Sequence, residues 1–200
     1  MIRRLQIISA FCFLLLLSGC SSPEPHYYVL ADSATAAQRN ESAPTDSCSV
    51  GVGPVEIPEY LDRPQIVTRS GQNELQLAEF DRWAGPLKDN VTQVLAENLR
   101  AQLPGNRVAV YPWKRAAGID YQVTVKILRF DRSVDGDSVL NVHWAILSGD
   151  GVKELAAHDA HYTERPAGSG NRDTVAAMNR TLEYFSSDVS HAINMLRKEK

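Results

Sequence analysis

The stretch from Tyr121 to Thr163, YQVTVKILRFDRSVDGDSVLNVHWAILSGDGVKELAAHDAHYT, decides the fold class. Tyr121, Val123, Val125 and Ile127 alternate with other residues, so a strand over 121–130 carries them on one face. Asp135-Gly136 is a hairpin turn pair, because both residues tolerate the positive φ that a tight turn between twisted strands demands. Val139–Leu147 returns as a second strand. Gly149-Asp150-Gly151 turns the chain again, and 152–163 supplies a third. An antiparallel meander of this kind has one apolar face, and that face needs a cover.

Two segments can provide it. Between Pro86 and Leu103, the residues Leu87, Val91, Val94, Leu95, Leu99 and Leu103 make one stripe at helical spacing, and Pro104-Gly105 ends the helix. Near the C-terminus, Gly168-Ser169-Gly170 leads into a second helix, with Asn171 or Asp173 expected as its N-cap. Val175, Met178, Leu182, Phe185, Val189, Ala192 and Leu196 recur there at alternating steps of three and four. That seam is read as packing on the meander. A coiled-coil contact with a neighbouring subunit is the alternative.

Upstream, Tyr27–Leu30 reads as a first strand and 31–47 as a flexible surface loop, since it holds no large apolar residue. Cys48–Ile57 reads as an edge strand with a bulge near Pro54. The connector Pro58–Pro64 is stiffened by two prolines. Residues 65–68 and 74–77 form a small hairpin about Ser70-Gly71, and Arg107–Tyr111 is a short strand. The expected architecture is a single α+β domain over 27–200: a mostly antiparallel, mixed sheet with two main helices on one face.

The first twenty residues read separately from this domain. Arg3 and Arg4 precede an apolar stretch from Leu5 to Leu17, and Leu17-Ser18-Gly19-Cys20 is a lipobox. Thirteen apolar-rich residues fall short of the ~20 needed to span a bilayer. Residues 1–19 are thus expected to be a signal peptide and Cys20 the lipidation site. Its thiolate takes diacylglycerol as a thioether, and cleavage frees an amine for N-acylation. By resemblance to known lipoprotein sorting, Ser21 in place of Asp directs the product to the outer membrane. Residues 20–26 are then a lipidated tether, spanning at most about 25 Å from Cys20 to Tyr27. The domain is expected to face the periplasm beside the membrane.

Composition and motifs exclude several activities. Removing Arg3 and Arg4 from 21 basic residues leaves 19 against 24 acidic, a net charge of −5. That balance argues against nucleic-acid binding, which needs a basic surface. With Cys12 in the signal and Cys20 acylated, Cys48 has no partner for an intramolecular disulfide, and it is expected to be buried at the strand edge. No phosphate-binding loop or nucleophile elbow occurs. Gly51-Val52-Gly53-Pro54 lies inside a strand pattern, which is the wrong place for a dinucleotide fingerprint. Asp131–Asp137 imitates half a calcium loop, but Val142 stands where the bidentate Glu belongs, so a solvated turn is expected. His158 and His161 lie three apart on a strand and so face opposite ways. His143, beside Trp144, is expected to be exposed or structurally satisfied. No catalytic residue, metal site or cofactor other than the lipid on Cys20 is assigned, and the chain is not expected to be an enzyme. Tyr60, Leu61, Arg63, Pro64 and Trp83 remain as candidate partner-binding residues. Their composition equally suits the plugging of a small core's edge.

Several joined motifs carry a resemblance. Leu17–Ser22, Tyr27–Leu30 and Gly51–Val55 are followed by Ile57-Pro58-Glu59-Tyr60-Leu61-Asp62-Arg63-Pro64-Gln65-Ile66-Val67, Arg82–Leu87 and Leu95–Leu99. Together they resemble the PqiC (YmbA-like) family of ABC-type transport auxiliary lipoproteins. The resemblance implies an outer-membrane partner of an MCE-type system that moves phospholipid between membranes. It implies docking of the periplasmic MCE tunnel, an inner-membrane permease in the same system, and a ring-shaped homo-oligomer. Only Cys20 transfers as a defined functional position. A lipid carrier or chaperone, or an assembly factor for outer-membrane protein or lipopolysaccharide, is the alternative. Cargo, direction and subunit number are not readable from the sequence.

Overall fold

The computed structural model describes residues 23–32, 47–113 and 118–198. The signal segment, Cys20, Ser21 and most of the 31–47 loop lie outside the described residues. The described elements run β1 (His26–Tyr28), β2 (Ser49–Glu56), a 3-10 turn (Glu59–Leu61), β3 (Gln65–Arg69), β4 (Leu75–Trp83), α1 (Leu87–Gln102), β5 (Arg107–Val110), β6 (Tyr121–Arg132), β7 (Ser138–Ser148), β8 (Glu154–Glu164) and α2 (Asn171–Lys198).

The meander forms as its alternation and turns require. β6 pairs antiparallel with β7 from Tyr121↔Ser148 to Arg132↔Ser138, and β7 with β8 from Ser138↔Glu164 to Leu147↔Glu154. Gly149 makes the second turn in close quarters: a Cβ there would lie 1.9 Å from the Ile119 carbonyl oxygen. On its other side β6 meets two separate branches. Parallel β2 lies along its first half, with β5 outside it. At its far end Thr68 of β3 pairs with Arg132, and β4 and then β1 extend that branch. The sheet is therefore mixed and forked, with long antiparallel ladders in the meander and parallel pairings in the branches.

β2 corrects one expectation. It is an interior strand, flanked by β5 and β6, although its glycines and Pro54 read as an edge. The register slips between Val52 and Val55, so the missing Pro54 N–H falls at the bulge, where no ladder bond is needed. Cys48 sits just before this strand, partly buried against the core.

Both helices pack against each other on one face. α1 covers β2 and β5 with Leu87, Val91, Leu95 and Leu99, while α2 covers β6, β7 and β8. Val175, Met178, Leu182, Phe185 and Val189 are buried, so the α2 seam faces its own sheet and α1. The buried Asn98 Nδ2 donates to Ser186 Oγ at 3.2 Å, pinning the two helices together. The Gly170 carbonyl accepts from the Thr174 N–H at 3.0 Å, so the first helical hydrogen bond starts at Gly170. Gly170 is thus the capping residue, and Asn171 and Asp173 already lie within the helix.

The opposite face of the meander is polar. His143 Nδ1 lies 2.9 Å from Asp159 Oδ1, and His161 hydrogen-bonds Asn141. His158 points the other way, its ring 4.8 Å from that of Trp144. The two histidines of the H-x-x-H sequence are therefore separated by the sheet, as strand geometry requires.

Asp131 departs from the solvated turn expected for it. It is fully buried at the end of β6 and accepts hydrogen bonds from Arg129 Nε (2.7 Å), Arg69 Nε (3.2 Å) and the Tyr60 hydroxyl (3.2 Å). Its two oxygens already accept three hydrogen bonds and its charge is matched by two guanidinium groups, which makes it a poor ligand for a calcium ion. Substituting Asp131→Asn removes the charge that balances both arginines, and we expect a loss of about 3 kcal/mol. Urea denaturation monitored by circular dichroism would measure it. An unchanged midpoint would show that the arginines find other partners.

Candidate functional site

The connector 58–64 joins β2 to β3, the strands through which the two branches of the sheet pair with β6. Its 3-10 turn is closed by the Leu61 N–H donating to the Pro58 carbonyl at 2.9 Å, and this turn splits the predicted binding residues by direction. Leu61 is 2% exposed and belongs to the core, so it offers no contact surface, contrary to the expectation that placed it there. Tyr60 is half-buried: its hydroxyl serves Asp131, and the Arg69 guanidinium lies 5.9 Å over its ring. Burial, reinforced by the Asp131 charge, pushes the Tyr60 pKa above the usual phenol value. Both residues plug the edge of the core.

Arg63, Pro64 and Trp83 do come together. The Trp83 N–H donates to the Pro64 carbonyl at 2.7 Å, tying the end of β4 to the connector. With Asp62, Ala84, Gly85 and Pro86, these residues line a pocket of about 390 Å³ at the start of α1. Trp83 is 5% exposed and forms a wall of the pocket while remaining part of the core. Arg63 Nε is shielded from solvent and has no hydrogen-bond partner among the described residues. Asp62, next in the chain, is exposed.

The sequence reading missed Asp62, Ala84, Gly85 and Pro86 as lining residues. Pro86 carried only a helix-start signal, and nothing local pairs 62–64 with 83–86. A second cleft, of about 400 Å³, was also missed: it lies between Pro54, Val55, Tyr111 and Pro112 on the strand side and Lys88, Asp89 and Thr92 on α1. Exposed Tyr111 packs edge-on against Trp113 at 5.3 Å, and the Trp113 ring lies close over Gly51, where a Cβ would meet it at 2.8 Å. Replacing Gly51 with Ala is expected to displace Trp113 and destabilise the fold by about 1–2 kcal/mol. A thermal melt with near-ultraviolet circular dichroism would register both changes, and identical spectra would count against the contact.

Among the described residues no three His, Cys, Asp or Glu side chains gather to hold a metal ion. The family of ABC-type transport auxiliary lipoprotein components matches residues 28–190, which include the connector, α1, the whole meander and the α2 seam as far as Val189. The chain belongs to this family. Among curated auxiliary lipoproteins, the intermembrane transport lipoprotein PqiC of Escherichia coli K12 is 29% identical over 137 residues, 65% of this chain and 68% of its own. PqiC of Shigella flexneri matches equally. A solved Xanthomonas campestris protein shares the fold with a TM-score of 0.70 at 15% identity, over 87% of this chain and 99% of its own. A second solved structure of an uncharacterized protein also gives 0.70, at 22% identity over 86% and 99%. The likeness to these two solved structures bears on the α+β fold, and the family rests on the match over 28–190.

Proposed function

We propose that this auxiliary lipoprotein is the outer-membrane subunit of an MCE-type intermembrane lipid-transport system, where it docks the periplasmic MCE tunnel. The family match across 28–190 carries the reading, and the naming of the Escherichia coli relative for intermembrane transport supports it. Residues 1–19 serve as the signal peptide, Cys20 takes the diacylglycerol and N-acyl chains, and Ser21 directs sorting to the inner leaflet of the outer membrane. The tether leaves six residue steps from Cys20 to His26, at most ~22 Å, so the body stays beside the bilayer. The other partners are phospholipid, an inner-membrane permease and further copies of the chain in a ring. Arg63, Pro64 and the edge of Trp83 form part of the contact surface, and no residue of this chain makes or breaks a bond.

A carrier that encloses an acyl chain fits less well. The space between sheet and helices is filled by Phe130, Phe185, Leu140, Met178 and Leu182, each less than 2% exposed. Mild crosslinking of cells followed by affinity capture of the full chain is expected to recover an MCE-domain protein. Capture of outer-membrane-protein or lipopolysaccharide assembly components in its place would overturn the docking reading.

A further inference from the structure

We infer that the pocket at the start of α1 seats the zwitterionic phosphoethanolamine headgroup of a phospholipid, with Arg63 holding the phosphate and Asp62 the ammonium. The inference rests on the lipid-transport reading for its class of cargo and narrows that reading to one site.

Two charges of opposite sign, consecutive in the chain, line one pocket. Neither is committed elsewhere: no ion pair or side-chain hydrogen bond engages Asp62 or Arg63 among the described residues, and Arg63 Nε is out of solvent without an acceptor. Other arginines here are occupied, Arg69 and Arg129 by Asp131, Arg165 by Asp137 and Arg180 by Glu164. Arg63 is only partly buried and lines the pocket, so its terminal Nη groups are the ones open to a ligand, and a phosphate diester oxygen is an acceptor that a guanidinium fits. The next feature is independent of the charges. Pro86 starts α1 with no side chain capping the first-turn N–H groups, so the positive end of a 16-residue helix begins at the pocket wall. Asp89, the acidic residue of that first turn, lines the neighbouring cleft. Trp83, Pro64 and Pro86 give flat apolar walls against which the methylene groups of the headgroup can lie.

The volume sets the limit on what enters. About 390 Å³ takes a headgroup and excludes a pair of acyl chains, which must stay in the bilayer or in a partner's tunnel. The site therefore reads the polar end of a lipid whose tails it never encloses. An anionic headgroup without an ammonium would satisfy Arg63 and meet repulsion from Asp62. The adjacent pair thus favours ethanolamine over glycerol.

Native mass spectrometry of the full chain in maltoside micelles, titrated with phosphatidylethanolamine or phosphatidylglycerol, tests the site. One phosphatidylethanolamine is expected per chain, bound at least tenfold more weakly by R63Q and partly restored by R63K. D62N should weaken phosphatidylethanolamine and leave phosphatidylglycerol unchanged or tighter. Inorganic phosphate should compete only weakly. Equal binding by wild type and R63Q, equal binding of both lipids with no effect of D62N, or competition by phosphate as strong as by lipid each overturns the inference. Unchanged melting temperatures exclude unfolding as the cause, and should R63Q fail to fold, the R63K and D62N comparison decides alone. Capture of the MCE-domain partner is scored on the same samples. If it succeeds while lipid binding fails, the headgroup site falls and the docking reading stands. If wild type binds the headgroup and captures no such partner, the docking reading falls alone.

Discussion

Replacing Phe185 with Asp is expected to leave no folded monomer. Phe185 is 1% exposed at the middle of the α2 seam, with its ring 6.1 Å from those of both Trp144 and Tyr162. Removing a buried aromatic side chain alone costs about 3–5 kcal/mol. The introduced carboxylate adds the cost of an unpaired charge among Leu182, Val189 and the β7–β8 surface. Their sum is comparable with the ~5–15 kcal/mol that stabilises a whole domain. Phe185→Leu keeps the apolar character and is expected to cost about 1–2 kcal/mol, because the cavity it opens is small. Circular dichroism and size-exclusion chromatography distinguish the outcomes. A folded monomer that has lost only its oligomeric state would show that the seam serves a neighbouring subunit, against the packing seen here.

The second large effect belongs to the anchor. Cys20→Ala is expected to move the protein from the membrane fraction to the soluble fraction and to abolish labelling by radioactive palmitate. Each buried CH₂ contributes ~0.8 kcal/mol, and one chain alone binds only marginally, so the three chains proposed on Cys20 would supply the main hold on a bilayer. No described helix is long and apolar enough to substitute. Retention of Cys20→Ala in the membrane fraction at the wild-type level would sink the lipidation proposal and, with it, the geometry that keeps the domain within reach of the outer membrane.

Much of this molecule was legible before folding was considered. The meander, both helices, the 65–77 hairpin and the α2 seam all follow from residues within one turn or one strand of each other, where periodicity and turn chemistry act locally. The separation of His158 from His161 was readable for the same reason. Other features were decided by the tertiary structure, through partners distant in the chain. β2 looked like an edge because glycine and proline weaken a strand on either side alike; that β5 and β6 flank it depends on segments more than fifty residues away. Asp131 resembled a turn residue; its burial depends on Tyr60 and Arg69, 71 and 62 residues away in the chain. The five candidate residues of the connector and of β4, Tyr60, Leu61, Arg63, Pro64 and Trp83, were indistinguishable as letters. Chain direction at the 3-10 turn sent Leu61 and Tyr60 inward and left Arg63 beside Trp83. A local pattern states which face of an element is apolar, but which element meets that face, and which charge is stranded there, is set by the simultaneous packing of the whole chain.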